Sequence, residues 1–173
     1  ELDQAIGMVP QKAFLFSGTL EDNLRDGKPD ATQEELWEAL SIAQAKEFVE
    51  KNERGLKMKV SEGGTNFSGG QRQRLAIARA IVRRPSIYLF DDSFSALDYR
   101  TDQKLRRALK PVTQNAAVII VAQRISTIKD ADQILVMNQG RIEAVGTHEE
   151  LMQSSRTYQE IVASQPTDKE VAS

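Results

Sequence analysis

The amino-acid sequence predicts an α/β fold in which a mostly parallel sheet carries an inserted helical stretch. Short apolar runs at residues 6–9, 87–90 and 118–121 alternate with helical patterns, which is typical of a layered sheet with helices. Such continuous runs indicate parallel strands covered on both faces. Residues from about 17 to 80 are mostly helical in pattern, which predicts the insertion. We therefore expect a core from residues 1–16 and 81–165, a helical subdomain at 17–80 and a frayed tail at 166–173.

The first half of the chain begins with a predicted strand at Ile6–Val9, which Pro10 holds extended at its end. Gln11 then opens a loop. A helix is predicted after the capping-box pattern Thr32–Glu35, with an apolar stripe that includes Leu36 and Leu40. Gly55 and the segment 62–70 interrupt this helical pattern.

The second half alternates more regularly. A helix is predicted from Gln71 to Arg84, where Pro85 ends it, and an apolar strand at Ile87–Phe90 then leads into Asp91 and Asp92. The remaining predicted elements are a helix at 100–109, a strand at 118–121, a helical turn near 126–129, a hairpin at 134–145 on the sheet edge, and helices at 147–152 and 157–163.

Composition narrows the possible functions. The 173 residues carry 23 basic and 25 acidic side chains, a net charge of -2, which argues against nucleic acid as a partner. We therefore expect the arginines of the helix at 71–84 to form a solvated, salt-bridged face; they are Arg72, Arg74, Arg79, Arg83 and Arg84. There is no cysteine, which excludes disulfides and thiolate chemistry. The longest apolar run, at 116–122, is far shorter than the roughly 20 residues that span a bilayer.

The turn Ser68-Gly69-Gly70-Gln71 is the most informative local feature. A turn that leads into a helix directs free backbone N–H groups and the positive end of the helix dipole to one spot, which favours an anion. No G-x-x-x-x-G-K-[ST] loop, which would hold the same phosphates from the other side, precedes it. Because the chain also starts without methionine, we expect a fragment that lacks the N-terminal P-loop part and exposes the sheet's edge and apolar face.

Carboxylates at the end of the strand 87–90 add a second candidate site. An acid in this position can hold magnesium beside nucleotide phosphates, as Asp91 is placed to do. Taken alone, an apolar strand that ends in aspartate is equally compatible with a purely structural role. The order of motifs favours function: Gln11, then Ser68–Gln71, then Asp91 and Asp92, then Ser95–Asp98, then a second apolar strand ending at Gln123.

In this order the motifs resemble the nucleotide-binding domain of ATP-binding cassette (ABC) transporters of the exporter type, over nearly the whole chain. The matching segments are Val9–Gln11 (Q-loop), Val60–Gly64 (X-loop, with Ser61 for Gly), Phe67–Gln71 (signature motif, with Phe for Leu), Leu89–Asp91 (Walker B), Ser95–Asp98 (D-loop) and Gln123 at the switch position.

The resemblance implies a P-loop NTPase core of RecA-like fold that uses ATP and Mg²⁺. It also implies that two such domains pair head-to-tail around two ATP molecules, at the cytoplasmic face of the membrane and against the coupling helices of a transmembrane domain. Asp91 and Gln11 would hold the metal, and Asp92, Gln123 and Gln11 would serve catalysis. Ser68, Gly69, Gly70, Gln71 and Asp98 would contact the nucleotide of the partner domain.

Two substitutions depart from the family pattern at catalytic positions. Asp92 stands where the family places the glutamate that acts as general base, and its carboxylate is one methylene shorter. Gln123 stands in place of the switch histidine, and an amide cannot carry a proton or a charge. Together they predict the degenerate half of a heterodimeric exporter, which completes its partner's ATP site.

Two other functions remain open at this point. One is an ABC-type ATPase without a membrane domain, against which the exporter-like stretch Ser17–Leu24 and the acidic balance argue. The other is a non-catalytic interaction module, which would have no use for the intact anion-binding turn. Phe14–Phe16 is expected to contact coupling helices, with core packing as the alternative, and Glu62 to transmit signals there, with a plain loop charge as the alternative. His148, the single histidine, is expected to be a surface residue near a helix start rather than a metal ligand.

Overall fold

The computed structural model describes residues 5–166, which divide into two compact units, one ending at Val121 and one beginning at Ala122. The predicted tail lies outside the described residues except for Pro166. In the first unit the strands are β1 (Ile6–Val9), β2 (Gly18–Thr19), β3 (Lys59–Val60), β4 (Ile87–Asp91) and β5 (Ala117–Val121). Its helices are α1 (Leu20–Leu24), α2 (Gln33–Ile42), α3 (Lys46–Glu50), α4 (Gly69–Arg83) and α5 (Tyr99–Val112), with 3₁₀ turns at Gly55–Lys57 and Glu62–Gly64.

The sheet of the first unit is parallel, as predicted, with the strand order β1-β4-β5. Strand β4 is central, and its Tyr88 and Phe90 are almost fully buried with their rings stacked at 6.0 Å. They belong to one apolar core with Leu75 and Ile77 of α4, so α4 packs on the sheet. Burial of these side chains contributes about 1.5–3 kcal/mol each.

Strand β5 differs from the prediction. Its apolar run was expected to be covered on both faces, yet Val118, Ile119 and Val121 are 40%, 53% and 53% exposed. Within the described residues β5 pairs with β4 alone, so its other edge has no neighbour there. The predicted exposed edge and apolar face are therefore present in this structure.

Helix starts follow the sequence closely. Thr32 closes a capping box with Glu35 at the start of α2, as predicted, and Ser68 closes one with Gln71 at the start of α4. Because Ser68 is the cap, α4 begins at Gly69, two residues before the predicted start. It ends at Arg83, where Arg84 adopts a left-handed backbone (φ 48°) and Pro85 follows.

The arginines of α4 correct the prediction of a solvated, salt-bridged face. Arg72, Arg74 and Arg79 instead donate to backbone carbonyls of Phe67 (2.9 Å), Gln44 (2.7 Å) and Phe14 (2.8 Å). Arg84, which follows the last residue of α4, pairs with the carboxylate of Glu38 at 3.4 Å. These side chains therefore hold loops to the helix, which charge patterning alone does not reveal.

The second unit contains α6 (Ile125–Ile128), β6 (Ile134–Asn138), β7 (Arg141–Gly146), α7 (His148–Ser154) and α8 (Arg156–Ala163). The predicted hairpin is present, but in the described residues β6 and β7 form a two-stranded sheet of their own rather than an edge of the parallel sheet. Ile134, Val136, Leu151 and Tyr158 form its small core. The opposite face carries the cross-strand pairs Leu135–Val145 and Met137–Ile142, all about half exposed. None of the described helices has the length and apolarity to cross a membrane.

Candidate functional site

The turn at Ser68 is organised by its own side chains. Ser68 Oγ accepts the N–H of Gln71 at 3.1 Å, and Gln71 Oε1 accepts the N–H of Ser68 at 3.0 Å. Arg72 fixes the preceding chain through the carbonyl of Phe67. The side chain of Gln71, predicted to contact nucleotide, is thus engaged in the cap.

The backbone N–H groups of Gly69 and Gly70 have no hydrogen-bond partner among the described residues. They lie in the first turn of a 15-residue helix, where the helix dipole adds a partial positive charge. At Gly70 a Cβ atom would approach the carbonyl oxygen of Ala96 to 3.1 Å, so the turn packs directly on the segment after β4. This end of α4 can therefore bind an anion through its main chain.

The end of β4 brings three predicted site residues together. Asp91 closes the strand, and its carboxylate has no hydrogen-bond or ion-pair partner within residues 5–166. Asp92 follows with a left-handed backbone (φ 47°), and its N–H donates to the carbonyl of Val121 at 2.7 Å. Gln11 Nε2, from the loop after β1, donates to Asp92 Oδ2 at 3.1 Å. A left-handed aspartate is uncommon and often marks a functional position.

The D-loop segment Ser95–Asp98 connects β4 to α5. Asp98 caps α5, as its Oδ1 accepts the N–H of Thr101 at 2.9 Å and its Oδ2 accepts the Thr101 hydroxyl at 2.7 Å. These hydrogen bonds, the hydroxyl first, lower the pKa of the Asp98 carboxyl below its usual value. Asp98 therefore serves as the cap of α5, and its contact with a partner's nucleotide stays a prediction.

Gln73 is a site residue that the sequence reasoning missed. It is 4% exposed, and its side-chain amide contacts the backbone of Gln11 and the D-loop at Ser95 and Ala96. A signal was available: Gln73 stands three and four residues before Ala76 and Ile77, on the buried stripe of α4. A polar residue on such a stripe needs hydrogen-bond partners.

Gln123 belongs to the second unit and is exposed. Its backbone carbonyl accepts a hydrogen bond from Gln165 Nε2, and Gln165 Oε1 accepts the N–H of Ile125 at 2.8 Å. The Gln165 side chain thus stabilises the turn after β5 through main-chain groups, and the side-chain amide of Gln123 stays on the surface.

The segment Phe14–Phe16 presents two half-exposed aromatic rings, 47% and 51% exposed, which meet edge to face at 5.5 Å. Arg79 lies 5.6 Å from the Phe16 ring and donates to the Phe14 carbonyl, and burial lowers the pKa of its guanidinium. Asn23 accepts the Phe16 N–H at 2.8 Å. Leu15 between the rings is buried, so the core-packing alternative holds for Leu15 only.

Oxygen donors at the end of β4 suit a hard cation. Mg²⁺ is usually bound by one or two carboxylates together with phosphate oxygens and water. The carboxylate of Asp91 and the amide oxygen of Gln11 are both without hydrogen-bond partners in the described chain. Within residues 5–166 no group of three or more His, Cys, Asp or Glu is placed to hold a metal. His148 instead contacts the Tyr158 hydroxyl at 2.9 Å.

Comparison with known proteins identifies the family. A model described as "ABC transporter" matches residues 1–95. An uncharacterized ABC transporter ATP-binding protein of Mycobacterium tuberculosis is 55% identical over 164 residues, covering 93% of this chain and 28% of the relative. The mitochondrial potassium channel ATP-binding subunit of Rattus norvegicus is 40% identical over 170 residues, covering 98% of this chain and 24% of the relative.

A solved structure of a bacterial Atm1-family ABC exporter with ATP bound has the same fold, with a TM-score of 0.91 and 38% identity over 96% of this chain and 29% of that chain. The predicted P-loop NTPase fold is therefore confirmed, whereas the boundaries of the helical subdomain stay a prediction. The chain spans less than a third of the length of these relatives. Since the family model matches more than half of its residues, this protein belongs to the ABC transporter family.

Proposed function

We propose that this chain is ATP-binding machinery of an ABC exporter and that it supplies its signature turn to an ATP site shared with a second nucleotide-binding domain. The observation that carries the proposal is the pair of unpartnered N–H groups at Gly69 and Gly70, at the start of α4. Ser68, Gly69, Gly70 and Gln71 form this anion site, with Asp98 on the neighbouring D-loop. The phosphates it binds arrive on the partner domain.

The chain's own ATP site is the part that we propose is degenerate. Asp91 and Gln11 offer the oxygens that would hold Mg²⁺, which neutralises charge on the phosphates when bound. Asp92 stands at the position of the general base, but its carboxylate is short and already accepts from Gln11 at 3.1 Å. Gln123 can donate an N–H to a phosphate but cannot accept and carry a proton. Both changes slow proton removal from water.

The partner that this assignment requires is a different nucleotide-binding domain with an intact base, so we propose a heterodimer. The half-exposed Phe14 and Phe16, fixed by Arg79, support contact with the coupling helices of a transmembrane domain. Apolar aromatic side chains are typical anchors of protein interfaces. The proposed location is therefore the cytoplasmic face of the membrane, with ATP and Mg²⁺ as the proposed ligands.

Restoring the two substituted residues tests the proposal. In the full-length pair with the partner's base removed, Asp92→Glu together with Gln123→His should raise ATP hydrolysis by about 10²–10⁴-fold, the usual range for a general base. Asp92→Asn with the same partner is the control and should stay at background. Hydrolysis by the double variant that remains at the control's level would contradict the degenerate-site assignment.

A non-catalytic interaction module is the competing function. It is favoured only by the two substitutions at Asp92 and Gln123, which remove catalytic groups. The two functions differ in the effect of nucleotide on association: a shared ATP site requires ATP for pairing, whereas a scaffold pairs without it. Sedimentation of the pair with and without ATP and Mg²⁺ separates them. Hydrophobic spans encoded upstream in the parent gene would exclude a membrane-free ATPase.

A further inference from the structure

We propose that Gln73 is a positioning residue that links the signature turn to Asp92, and thereby one ATP site to the other. The inference rests on the proposed function, because it concerns the same two sites. Gln73 lies one turn inside α4 and is 4% exposed. A side-chain amide in such a place must satisfy two donors and an oxygen, so its partners are informative.

Both ends of the Gln73 amide are used. Nε2 donates to the backbone carbonyl of Gln11 at 3.2 Å and to Ser95 Oγ at 3.4 Å. Oε1 accepts the backbone N–H of Ala96 at 3.0 Å. One side chain therefore joins α4 to the loop after β1 and to the D-loop, and its loss would leave buried groups unsatisfied.

The partners of Gln73 converge on Asp92. Gln11, held through its carbonyl, donates its side-chain N–H to Asp92 Oδ2 at 3.1 Å. Ser95, held through its hydroxyl oxygen, donates to the Asp92 backbone carbonyl at 2.9 Å. Gln73 thus positions both the side chain and the main chain of Asp92, although Gln73 does not contact Asp92 directly.

The same side chain is tightly coupled to the anion-binding turn. Gly70, one turn before Gln73, packs so closely on Ala96 that a Cβ atom would come within 3.1 Å of its carbonyl oxygen. Movement of the turn on anion binding is therefore passed to Ala96, which also holds Gln73 Oε1. Nucleotide binding at the partner's ATP site therefore changes the position of Asp92 in this chain's own site.

A glutamate at this position makes the link dependent on pH. A protonated carboxyl has the donor and the acceptor of the amide, whereas the ionised form has no donor and repels the Gln11 carbonyl. Burial raises the pKa of such a carboxyl above about 4.3. The titratable groups on the surrounding elements are carboxylates after β4, a lysine beside Gln11 and arginines of α4; they are Lys12, Arg72, Arg74, Asp91, Asp92 and Asp98.

The experiment uses the full-length pair in which hydrolysis depends on this chain's own site, with Asp92→Glu and Gln123→His introduced and the partner's base removed. In that pair it compares Gln73→Glu with Gln33→Glu, because Gln33 is an exposed residue in the first turn of α2. ATP hydrolysis by Gln73→Glu should match the control at low pH and fall by about 10–100-fold relative to it as pH rises, the usual cost of losing a supporting contact. Gln73→Leu should show the loss at every pH. Recovery of Gln73→Glu at low pH shows that the fold is intact, and equal profiles for the two glutamate variants would overturn the inference.

A second measurement separates this inference from the proposed function. In the nucleotide-free protein, Gln73→Leu should speed hydrogen exchange of the Ala96 amide by about tenfold or more, the equivalent of one lost net hydrogen bond. If wild type neither hydrolyses ATP nor pairs in response to it, the proposed function fails and the exchange result alone decides on the Gln73 link. Unchanged Ala96 protection in Gln73→Leu would overturn it.

Discussion

The turn at Ser68–Gly70 and the carboxylates at the end of β4 are two candidate ATP-contacting regions of one unit, and they are built in different ways. The turn offers main-chain N–H groups, and its side chains serve the helix cap. The end of β4 offers side chains: the free carboxylate of Asp91 and the Gln11–Asp92 pair. A main-chain site depends little on side-chain identity, so we expect it to tolerate a substitution beside it, such as Phe67 in place of the family's leucine. A side-chain site changes its chemistry with one residue, which is why the proposed degeneracy lies at Asp92.

The largest expected effect comes from breaking the main-chain site. Gly70→Asp places a Cβ atom 3.1 Å from the Ala96 carbonyl and a negative charge where the anion binds. Removing a preorganised hydrogen-bond donor that stabilises the charge of the transition state lowers the rate by about 10²–10³-fold. We therefore expect ATP hydrolysis at the shared site to fall by that factor. Steady-state ATPase assays of the full-length pair measure it.

The matched control for this prediction is Gly140→Asp, in the turn of the β6–β7 hairpin. A Cβ atom there meets nothing within 4 Å, and aspartate tolerates its left-handed backbone (φ 75°). This variant should keep the activity of wild type. An equal loss in both variants would show that added charge, and not the turn, causes the defect.

The contrast between the two regions also explains what the sequence could predict. Caps and strands are local, so the capping box at Thr32, the strand 87–91 and the turn at Ser68 were predicted within a few residues. The Gln73 network depends on residues 62 positions before it and 22 after it, and no local pattern specifies such partners. The prediction that β5 is covered on both faces was wrong for a similar reason. An apolar run predicts a strand but does not show which layer covers it.

An intermediate effect, on hydrogen exchange, is expected from substituting Arg79. This substitution tests a side-chain contact of α4 that lies away from the turn. Arg79→Met keeps length and apolar packing but removes the hydrogen bond to the Phe14 carbonyl and the cation–π contact with Phe16. A hydrogen bond from a charged group is worth about 1.5–3 kcal/mol. Amides of residues 14–16 should then exchange about 10–100-fold faster in the full-length protein, measured by hydrogen exchange.

The control for this change is Arg100→Met, since Arg100 is exposed in the first turn of α5. Exchange at residues 14–16 should be unaffected by it. Arg79 also has a buried Nη1 without a hydrogen-bond partner in the described chain, and removing that group offsets part of the loss. An unchanged exchange rate in Arg79→Met would mean that the offset is complete and that Asn23, not Arg79, holds the segment.

The smallest expected effect is on the free energy of unfolding when Asp98 is substituted. The Asp98 variants distinguish a structural from a ligand-binding carboxylate after β4. Asp98→Ala removes the cap of α5 and should lower the free energy of unfolding by about 0.5–2 kcal/mol, whereas Asp98→Asn, an equally good cap, should cost little. The hydrogen bonds from Thr101 lower the Asp98 pKa, so its contribution is complete above the ordinary aspartate pKa of about 3.9 and is lost as pH falls through the lower folded value. Denaturant unfolding between pH 2 and 7 should therefore show a steeper acid loss for wild type than for Asp98→Asn. Loss of ATP-dependent pairing in Asp98→Asn, at unchanged stability, would show that the charge of Asp98 acts on the shared nucleotide. The segment after β4 would then contribute to both ATP sites.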